Sequence, residues 1–552
     1  MTKQPTEVEG IKAESRGLRG QLAEDLAAPT PNVSSASEQL IKFHGIYAQD
    51  HRDVRRARSL AHEPLEFIFM TRVVIPGGHL TAQQWLELDR LADDVADGTL
   101  RLTTRQAVQF HGTYKGSLRE LATRLDEVRL TSFGGCGDVV RNVVTCPHLQ
   151  IAQHPDITEF TRQMALSFRP STSAHWEIFV DGQRAASAVD EVERNFYGET
   201  YLPRKFKVAI ANPDENCVDA FAQDVALIPS TTPDGVAGFN VIVGGGLGRN
   251  YAHEHTFSRL GDPLGFVALD EAVSLVAAIV ATYRDLGDRT DRKRARLKYV
   301  VHDIGFDAFR HEVEARWGRQ ISPLNGSVSF SGRHDHLGWS HIIDGLHSVG
   351  IRVGAGRVKD DEHHRTRTAL RQIAAALPVT FYVTPQQDVI VHGLRDHEID
   401  VVTEMLRTHG VPLATDLLPL ERTALACPAL PTCGQALTEA ERELPTVVGQ
   451  FAEIVRSRGI AHRDLVVRMT GCPNGCARPS VAEIGIVGRT KSTYDIHIGG
   501  SPSGDRLATL WREKVASSDV AETVQPLLTR WADEALEGES FGDFVMRVQP
   551  WE

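Results

Sequence analysis

Four cysteines toward the C-terminal end constrain this chain more than anything else in it. They form two pairs, Cys427-Pro-Ala-Leu-Pro-Thr-Cys433 and Cys472-Pro-Asn-Gly-Cys476, with 38 residues between the pairs. The chain has 552 residues and only seven cysteines, unevenly placed, so a disulfide framework is excluded and a reducing compartment is expected. Grouped thiolates select soft metals: zinc, copper(I) or iron–sulfur clusters. Zinc hairpins are usually tighter than the first pair, C-x5-C. That spacing suits a larger object, a cubane whose four irons each take one thiolate. A zinc site and unrelated buried cysteines are the alternatives. The prolines after Cys427 and Cys472 stiffen each loop, and Asn474-Gly475 suits a tight turn that aims amide N–H groups at sulfur.

The stretches Ala426 to Cys433 and Thr470 to Ala477 resemble the paired signature of the sulfite and nitrite reductase hemoproteins. The resemblance implies that Cys427, Cys433, Cys472 and Cys476 hold a [4Fe–4S] cluster, and that Cys476 is shared with the iron of a siroheme. Further blocks carry the same resemblance: Lys42-Phe-His-Gly-Ile-Tyr47, Cys136-Gly-Asp-Val-Val-Arg-Asn-Val143, Leu202-Pro-Arg-Lys-Phe-Lys207, the basic run Asp288 to Lys298, and the closing Glu539-Ser-Phe-Gly-Asp-Phe-Val-Met-Arg547. Val74 departs from it, standing where many relatives have Arg.

The formal net charge of −12 argues against nucleic acid as a partner. No run approaches the roughly 20 apolar residues that span a bilayer, and the N-terminus lacks an apolar signal core, so no membrane partner and a cytoplasmic location are expected. Gly244-Gly-Gly-Leu-Gly248 follows an apolar strand, but Arg249 stands where a dinucleotide fingerprint needs glycine. No flavin or nicotinamide site is visible.

The fold class expected is α/β (α+β): a pseudo-two-fold repeat of ferredoxin-like halves plus two α/β lobes that sandwich the cofactors. The expected divisions are an N-terminal arm (1–60), ferredoxin-like half 1 (61–128), siroheme-binding lobe 1 (129–330), ferredoxin-like half 2 (331–415), and lobe 2 with siroheme and cluster (416–552). Residues 1–38 read equally as a flexible tail or a wrapping arm. The spacing of Trp85, Leu88, Leu91 and Val95 predicts a helix over 80–96, capped by Thr81. Val520, Val524, Leu527, Leu528 and Trp531 predict another over 518–537. Residues 100–111 alternate as a strand would, with Arg101, Thr103, Arg105, Ala107, Gln109 and His111 on one face. Residues 102–112 and 383–393 align without gaps as a weak internal repeat. The basic run 288–298 is expected at a helix start.

The resemblance assigns sulfite binding and catalysis to Arg72, Arg141, Lys205 and Lys207. Arginine stays charged and orients the anion, whereas a buried lysine gives up a proton more readily. It assigns the cofactor's carboxylates and surroundings to Arg101, Arg105, Gln109, His111, Asn142, Gly245, Gly246, Arg292, Lys293, Asn474 and Cys476. The implied reaction is assimilatory reduction of sulfite to sulfide; ferredoxin–nitrite reductase is the alternative on the same scaffold. A protein that binds only the cluster for electron transfer or sensing is the rival from another class. The electron donor is expected to be a separate protein, an NADPH-dependent flavoprotein or a ferredoxin. Cys136 stands outside the cluster set, either as a free thiol or cross-linked to Tyr47 as a thioether.

Overall fold

Residues 100–113 fold as a hairpin, which corrects the expectation of one alternating strand. In the computed structural model, which describes residues 4–154, 156–170, 177–180, 183–187, 196–233, 235–341 and 345–551, Leu100–Leu102 and Val108–Thr113 run antiparallel, with Arg101 opposite Gln109. Gln106 turns the chain at φ 51°. The Thr103 hydroxyl accepts from the amides of Arg105 (3.3 Å) and Ala107 (3.1 Å). Such a local side-chain acceptor favours a turn over a strand, and it leaves no mark in an alternating pattern. The repeat at 383–393 is the same device: Gln387 has φ 70°, and the Thr384 hydroxyl accepts from Gln386 and Asp388.

These hairpins sit in two matching five-stranded sheets. The first orders Ile46–Asp50, Phe67–Val73, Val108–Thr113, Leu100–Leu102 and Arg357–Val358. The second orders Gly338–His341, His347–Ile351, Val389–Leu394, Thr380–Val383 and His79–Thr81. Each sheet therefore ends on a strand lent by the other half. The exchange needs close backbone approach at Gly78 (φ 75°) and Gly356 (φ 73°). A Cβ on Gly78 would run into the carbonyl oxygen of Val383, and one on Gly356 would sit 2.6 Å from that of Leu102. Both halves share one apolar core, in which Trp85 stacks on Phe381 with centroids 4.7 Å apart. The helix Ala82–Val95 starts at a capping box between Thr81 and Gln84, and buries Trp85, Leu88, Leu91 and Val95 as its spacing predicts.

The lobes repeat too. Lobe 1 orders Val144–Thr145, Val208–Ile210, Val225–Thr232, Gly235–Val243 and Asp262–Ala268; the first three are parallel and the rest antiparallel. Lobe 2 orders Leu425–Ala426, Val467–Thr470, Ile484–Thr490, Thr493–Ile498 and Thr509–Ala516, with the same change of direction at the same place. Each lobe has its own core. The helix Val520–Glu534 covers lobe 2 with the five apolar residues that its spacing picked out.

The N-terminal segment wraps. Lys12 is fully buried and pairs with Glu9 at 2.5 Å and Asp138 at 3.4 Å. Arg289 and Arg292 close the same network on Glu9 and Asp138. Burial pushes the Asp138 carboxyl up, but Arg292, Lys12 and Arg204 outweigh it and hold it at about 2. Lys12, which also donates to the Leu202 carbonyl at 3.0 Å, is kept below the ordinary lysine range by burial, against the pull of the two carboxylates. No helix among the described residues is long and apolar enough to cross a membrane.

Candidate active site at the junction of the lobes

The four cysteines leave strand ends of lobe 2. Cys427 follows Leu425–Ala426, and Cys472 follows Val467–Thr470 after Gly471. Cys427 and Cys472 are buried, Cys433 is half-buried and Cys476 is exposed. Burial raises the thiols of Cys427, Cys433 and Cys472, the last to about 12, and each is pushed further by Cys476. Backbone amides offset part of this: Gly471 donates to Cys427 Sγ at 3.3 Å, and Asn474 donates to Cys472 through backbone and side chain. Mutually repelling buried thiols with amides aimed at sulfur want cations among them. Among the described residues, the one group whose ligand atoms all lie within 4.8 Å of each other excludes these four thiols. A single tetrahedral ion needs its donors within that spread, so the four thiols are not set for one, whereas a cubane takes one thiolate at each of four irons.

Around Cys476 the chain gathers positive charge. Arg72 feels both Cys476 and Cys433, and Lys205 feels Cys476. Phe206 packs into the lobe 1 core, so the flanking Lys205 and Lys207, alternating with it along an extended segment, point away from that core. Arg141 is fixed by the carbonyls of Gly135 (3.2 Å) and Gly137 (2.6 Å). Gly137 is needed there because a Cβ would sit 2.7 Å from the Phe43 ring. Arg72 donates to Cys136 Sγ at 2.8 Å, and Cys136 forms no disulfide. With its amide oxygen turned toward Arg72, Gln109 accepts from Nη2 at 2.6 Å and Nε at 3.2 Å. Burial lowers the Lys205 ammonium to about 7, aided by Arg296, and burial with Arg296 and Lys205 lowers Lys207 still more strongly.

The remaining expected site residues divide. Arg105 reaches lobe 1, donating to the carbonyls of Asn142 (2.6 Å) and Val208 (2.8 Å) and to Gln223 (2.9 Å). Asn142 clamps this turn by donating to the carbonyls of Ile75 and Arg105. His111 lies beside Gln109 (3.4 Å), and burial, with Arg357, Arg101 and Arg72 nearby, holds it well below the usual imidazole range. Arg101 is fully buried but occupied: it pairs with Glu441 at 3.0 Å and donates to the Ala426 carbonyl at 2.8 Å, next to Cys427. Arg292 is taken up by Asp138, and the exposed Lys293 contacts His253. The amides of Gly245 and Gly246 donate to the carbonyls of Gln223 and Arg259. Their loop packs against the cysteine loop instead: Arg249 N–H donates to Pro473 O at 3.0 Å, and Gly248 lies against Asn474.

The basic run is an irregular turn, and the helix begins only at Leu297–Ile304, which corrects the expectation of a helix start at 288–298. Asp288 and Asp291 hold it in turns by accepting from the following amides. Arg296, the helix's N-cap, reaches Asp224 (2.8 Å), and Lys298, in the first turn of the helix, reaches the Gly248 carbonyl (2.7 Å); both are coupled to Lys205. Sequence reasoning named Arg292 and Lys293 from this block, whereas Arg296 and Lys298 are the members coupled to Lys205. It missed Asp219, which ion-pairs Arg333 (2.6 Å), Arg468 (2.7 Å) and Arg478 (3.0 Å) across the lobes. Nothing local in the sequence marks those pairs.

The site fits a polyanionic cofactor. Arg72, Arg105, Arg141, Arg204, Lys205, Lys207, Arg296 and Arg478 influence one another or Cys476, with three acids against them: Asp224 beside Arg105 and Arg296, Asp138 beside Arg204 and Asp219 beside Arg478. Buried nitrogens of Arg105, Arg296 and Arg478 lack hydrogen-bond partners. Arg296 is met by Asp224, Arg478 by Asp219 and Arg105 by backbone carbonyls, so what a bound anion would find here is the donors these partners leave open. Beside them stands a set of four thiols with one member exposed.

Comparison with known proteins agrees. Residues 136–321 match the family described as nitrite and sulphite reductase 4Fe-4S domain, and residues 62–128 the nitrite/sulfite reductase ferredoxin-like half domain. The chain is 40% identical to the sulfite reductase [NADPH] hemoprotein beta-component of Myxococcus xanthus, covering 99% of this chain and 98% of that protein. It is 42% identical to the protein of that name from Chromohalobacter salexigens, over 98% and 94%, and 39% identical to that of Geobacillus kaustophilus, over 99% and 96%. The structure of Mycobacterium tuberculosis NirA protein shares the fold, with a TM-score of 0.80 at 23% identity, covering 100% and 98% of the two chains.

Proposed function

The chain belongs to the nitrite and sulfite reductase family, and from that premise we propose that it is the hemoprotein component of a sulfite reductase, an oxidoreductase that converts sulfite to sulfide. The observation that supports this reading is the basic group beside the one exposed thiol of the four, Cys476: Arg72 and Lys205 feel that thiol, and Arg141 and Lys207 are coupled to Lys205. Cys427, Cys433, Cys472 and Cys476 would hold the [4Fe–4S] cluster. Arg105, Arg296, Arg478 and their neighbours would meet the carboxylates of siroheme. Bound there, siroheme and cluster would supply electrons singly to a substrate that stays in place.

The residues do the rest. Arg72 and Arg141 are fixed by Gln109 and by the Gly135 and Gly137 carbonyls, so their guanidinium planes are set before sulfite arrives. Fixed cations in a poorly solvated site stabilise the charge that develops on sulfite oxygen as S–O bonds break. Lys205 and Lys207 are the proton donors. Their ammonium groups are destabilised by burial and by Arg296, so an entering anion raises their affinity for a proton and the leaving oxygen then takes it. Electrons come from a partner protein; the names of the relatives point to an NADPH-linked flavoprotein in preference to a ferredoxin. Steady-state turnover with reduced methyl viologen tests the assignment. A higher kcat/KM for sulfite than for nitrite supports it, and a strong preference for nitrite would overturn it.

A further inference from the structure

Lobe 1 holds a second convergence of metal-ligating side chains, at the place that corresponds to the cluster in lobe 2. Strand register gives the correspondence. Val144 and Thr145 pair with Ala209 and Ile210 in lobe 1; Leu425 and Ala426 pair with Arg468 and Met469 in lobe 2. Cys146 thus stands where Cys427 stands, each directly after the first strand. Cys217 precedes Asp219 (φ 50°) and the turn Ala220–Ala222; Cys476 precedes Arg478 (φ 60°) and the turn Pro479–Val481. The matched residues Asp219 and Arg478 even ion-pair with each other.

Lobe 1 has two thiols where lobe 2 has four, and the other two donors differ in kind. Glu215 lies two residues before Cys217, and His336 comes from the segment that leads into the second ferredoxin-like half. The ligand atoms of Cys146, Glu215, Cys217 and His336 all lie within 4.8 Å of one another. Cys146 Sγ is 2.7 Å from Glu215 Oε1 and 3.9 Å from His336 Nε2, and His336 Nε2 is 3.3 Å from Glu215 Oε1. A tetrahedral ion with M–S near 2.3 Å and M–N or M–O near 2.0–2.1 Å sets its ligands about 3.3–3.8 Å apart, within that spread.

The donors are held from behind. The other Glu215 oxygen accepts from the amides of Cys217 (2.8 Å) and His334 (3.4 Å). Gln386 donates to the Cys217 carbonyl at 3.0 Å, and the Cys146 amide is tied to Ile210 O at 3.1 Å. The two cysteines and Glu215 are buried, and His336 borders a cavity lined also by His148, Ile151 and Ser348, which gives an ion a way in.

We propose that Cys146, Glu215, Cys217 and His336 form a mononuclear site for a borderline-soft divalent cation of the zinc type, distinct from the iron centre of lobe 2. Four protein donors leave no open position, so its role is structural: it staples the 331–336 segment to lobe 1. Metal analysis of the purified holoprotein, equilibrated with zinc and then desalted, tests this together with X-ray absorption at the zinc edge. The expected result is about one zinc per chain beyond the irons, with two sulfurs near 2.3 Å and two lighter donors near 2.0–2.1 Å. Cys146→Ala/Cys217→Ala should lose that zinc while keeping its iron and visible spectrum. If this variant does not fold, His336→Gln serves, with weakened zinc retention and one fewer nitrogen donor. Wild-type protein that retains no zinc, zinc bound without sulfur, zinc on four sulfurs (replacement at the cluster), or a Cys146–Cys217 disulfide in the native protein would each overturn the proposal. The iron count reads the cluster separately, so failure here leaves the reading of lobe 2 standing.

Discussion

Lobes 1 and 2 share strand order, strand direction and register, yet they differ in what their loops carry. In lobe 2 the loops after the first and second strands bear four thiols. In lobe 1 the corresponding loops bear two thiols with Glu215, and the segment that leads into the second strand bears Lys205 and Lys207 on either side of the buried Phe206, with Lys205 feeling Cys476. In the proposed function, one lobe would supply the ligands of the iron centre and the other much of the charge that works on its substrate. The scaffold is symmetric while the chemistry is not, as expected where function sits in loops grafted on a fold.

The sharpest way to break this comparison is to treat matched cysteines alike. Cys476→Ser should strip iron and reduce sulfite turnover to background. Cys217→Ser, at the matched position, should leave the iron content and visible spectrum unchanged. Equal loss of iron in both would mean that the lobes are not divided in this way. The next largest effect is on turnover. Lys205→Met should lower kcat by about 10²- to 10⁴-fold, the usual loss for a positioned proton donor. Lys293→Met, in the neighbouring basic block but exposed, should leave kcat unchanged. Steady-state kinetics on the two variants checks this.

The contact between the lobes is tested by Asp219→Asn. It leaves Arg333, Arg468 and Arg478 without their shared carboxylate, and denaturant unfolding should show a loss of about 3–5 kcal/mol. Burial pushes this carboxyl up, but the three arginines pull it well below the ordinary range. Its contribution to stability is therefore present above the unfolded value, near 4, and is lost as pH falls through the lower folded value. The Asn variant should lack that acid-side fall. The smallest effect is a fractional proton. Lys205 is lowered to about 7, so above that pH it is largely neutral until an anion enters. Sulfite binding should take up protons at pH 7 and above, seen as buffer-dependent heats in calorimetry, and Lys205→Met should reduce the uptake.

Much of this was legible in the sequence, for local reasons. The cysteine spacings, the apolar stripes of 82–95 and 520–534, and the buried Phe206 between two lysines are written in short windows. The hairpin at 103–107 was not, because a Thr hydroxyl taking two amides overrides an alternating pattern. Arg101 was read as a cofactor ligand because its charge is visible and Glu441, 340 residues away, is not visibly its partner. The resemblance set Gly245 and Gly246 among the cofactor's surroundings, and the space beside their Cα atoms is filled by the Phe221 and Gln223 carbonyls and the Lys298 side chain. The strand exchange between the halves and the Asp219 cluster depend on contacts distant in sequence. So does the meeting of Cys146 and Cys217 with His336.

The most direct measurement is a visible spectrum with an iron count on the purified chain. The account predicts siroheme absorption and about five irons per chain, four for the cluster and one for the heme. A protein with cluster iron alone and no siroheme bands, or a colourless protein whose four C-terminal cysteines hold zinc, would contradict it.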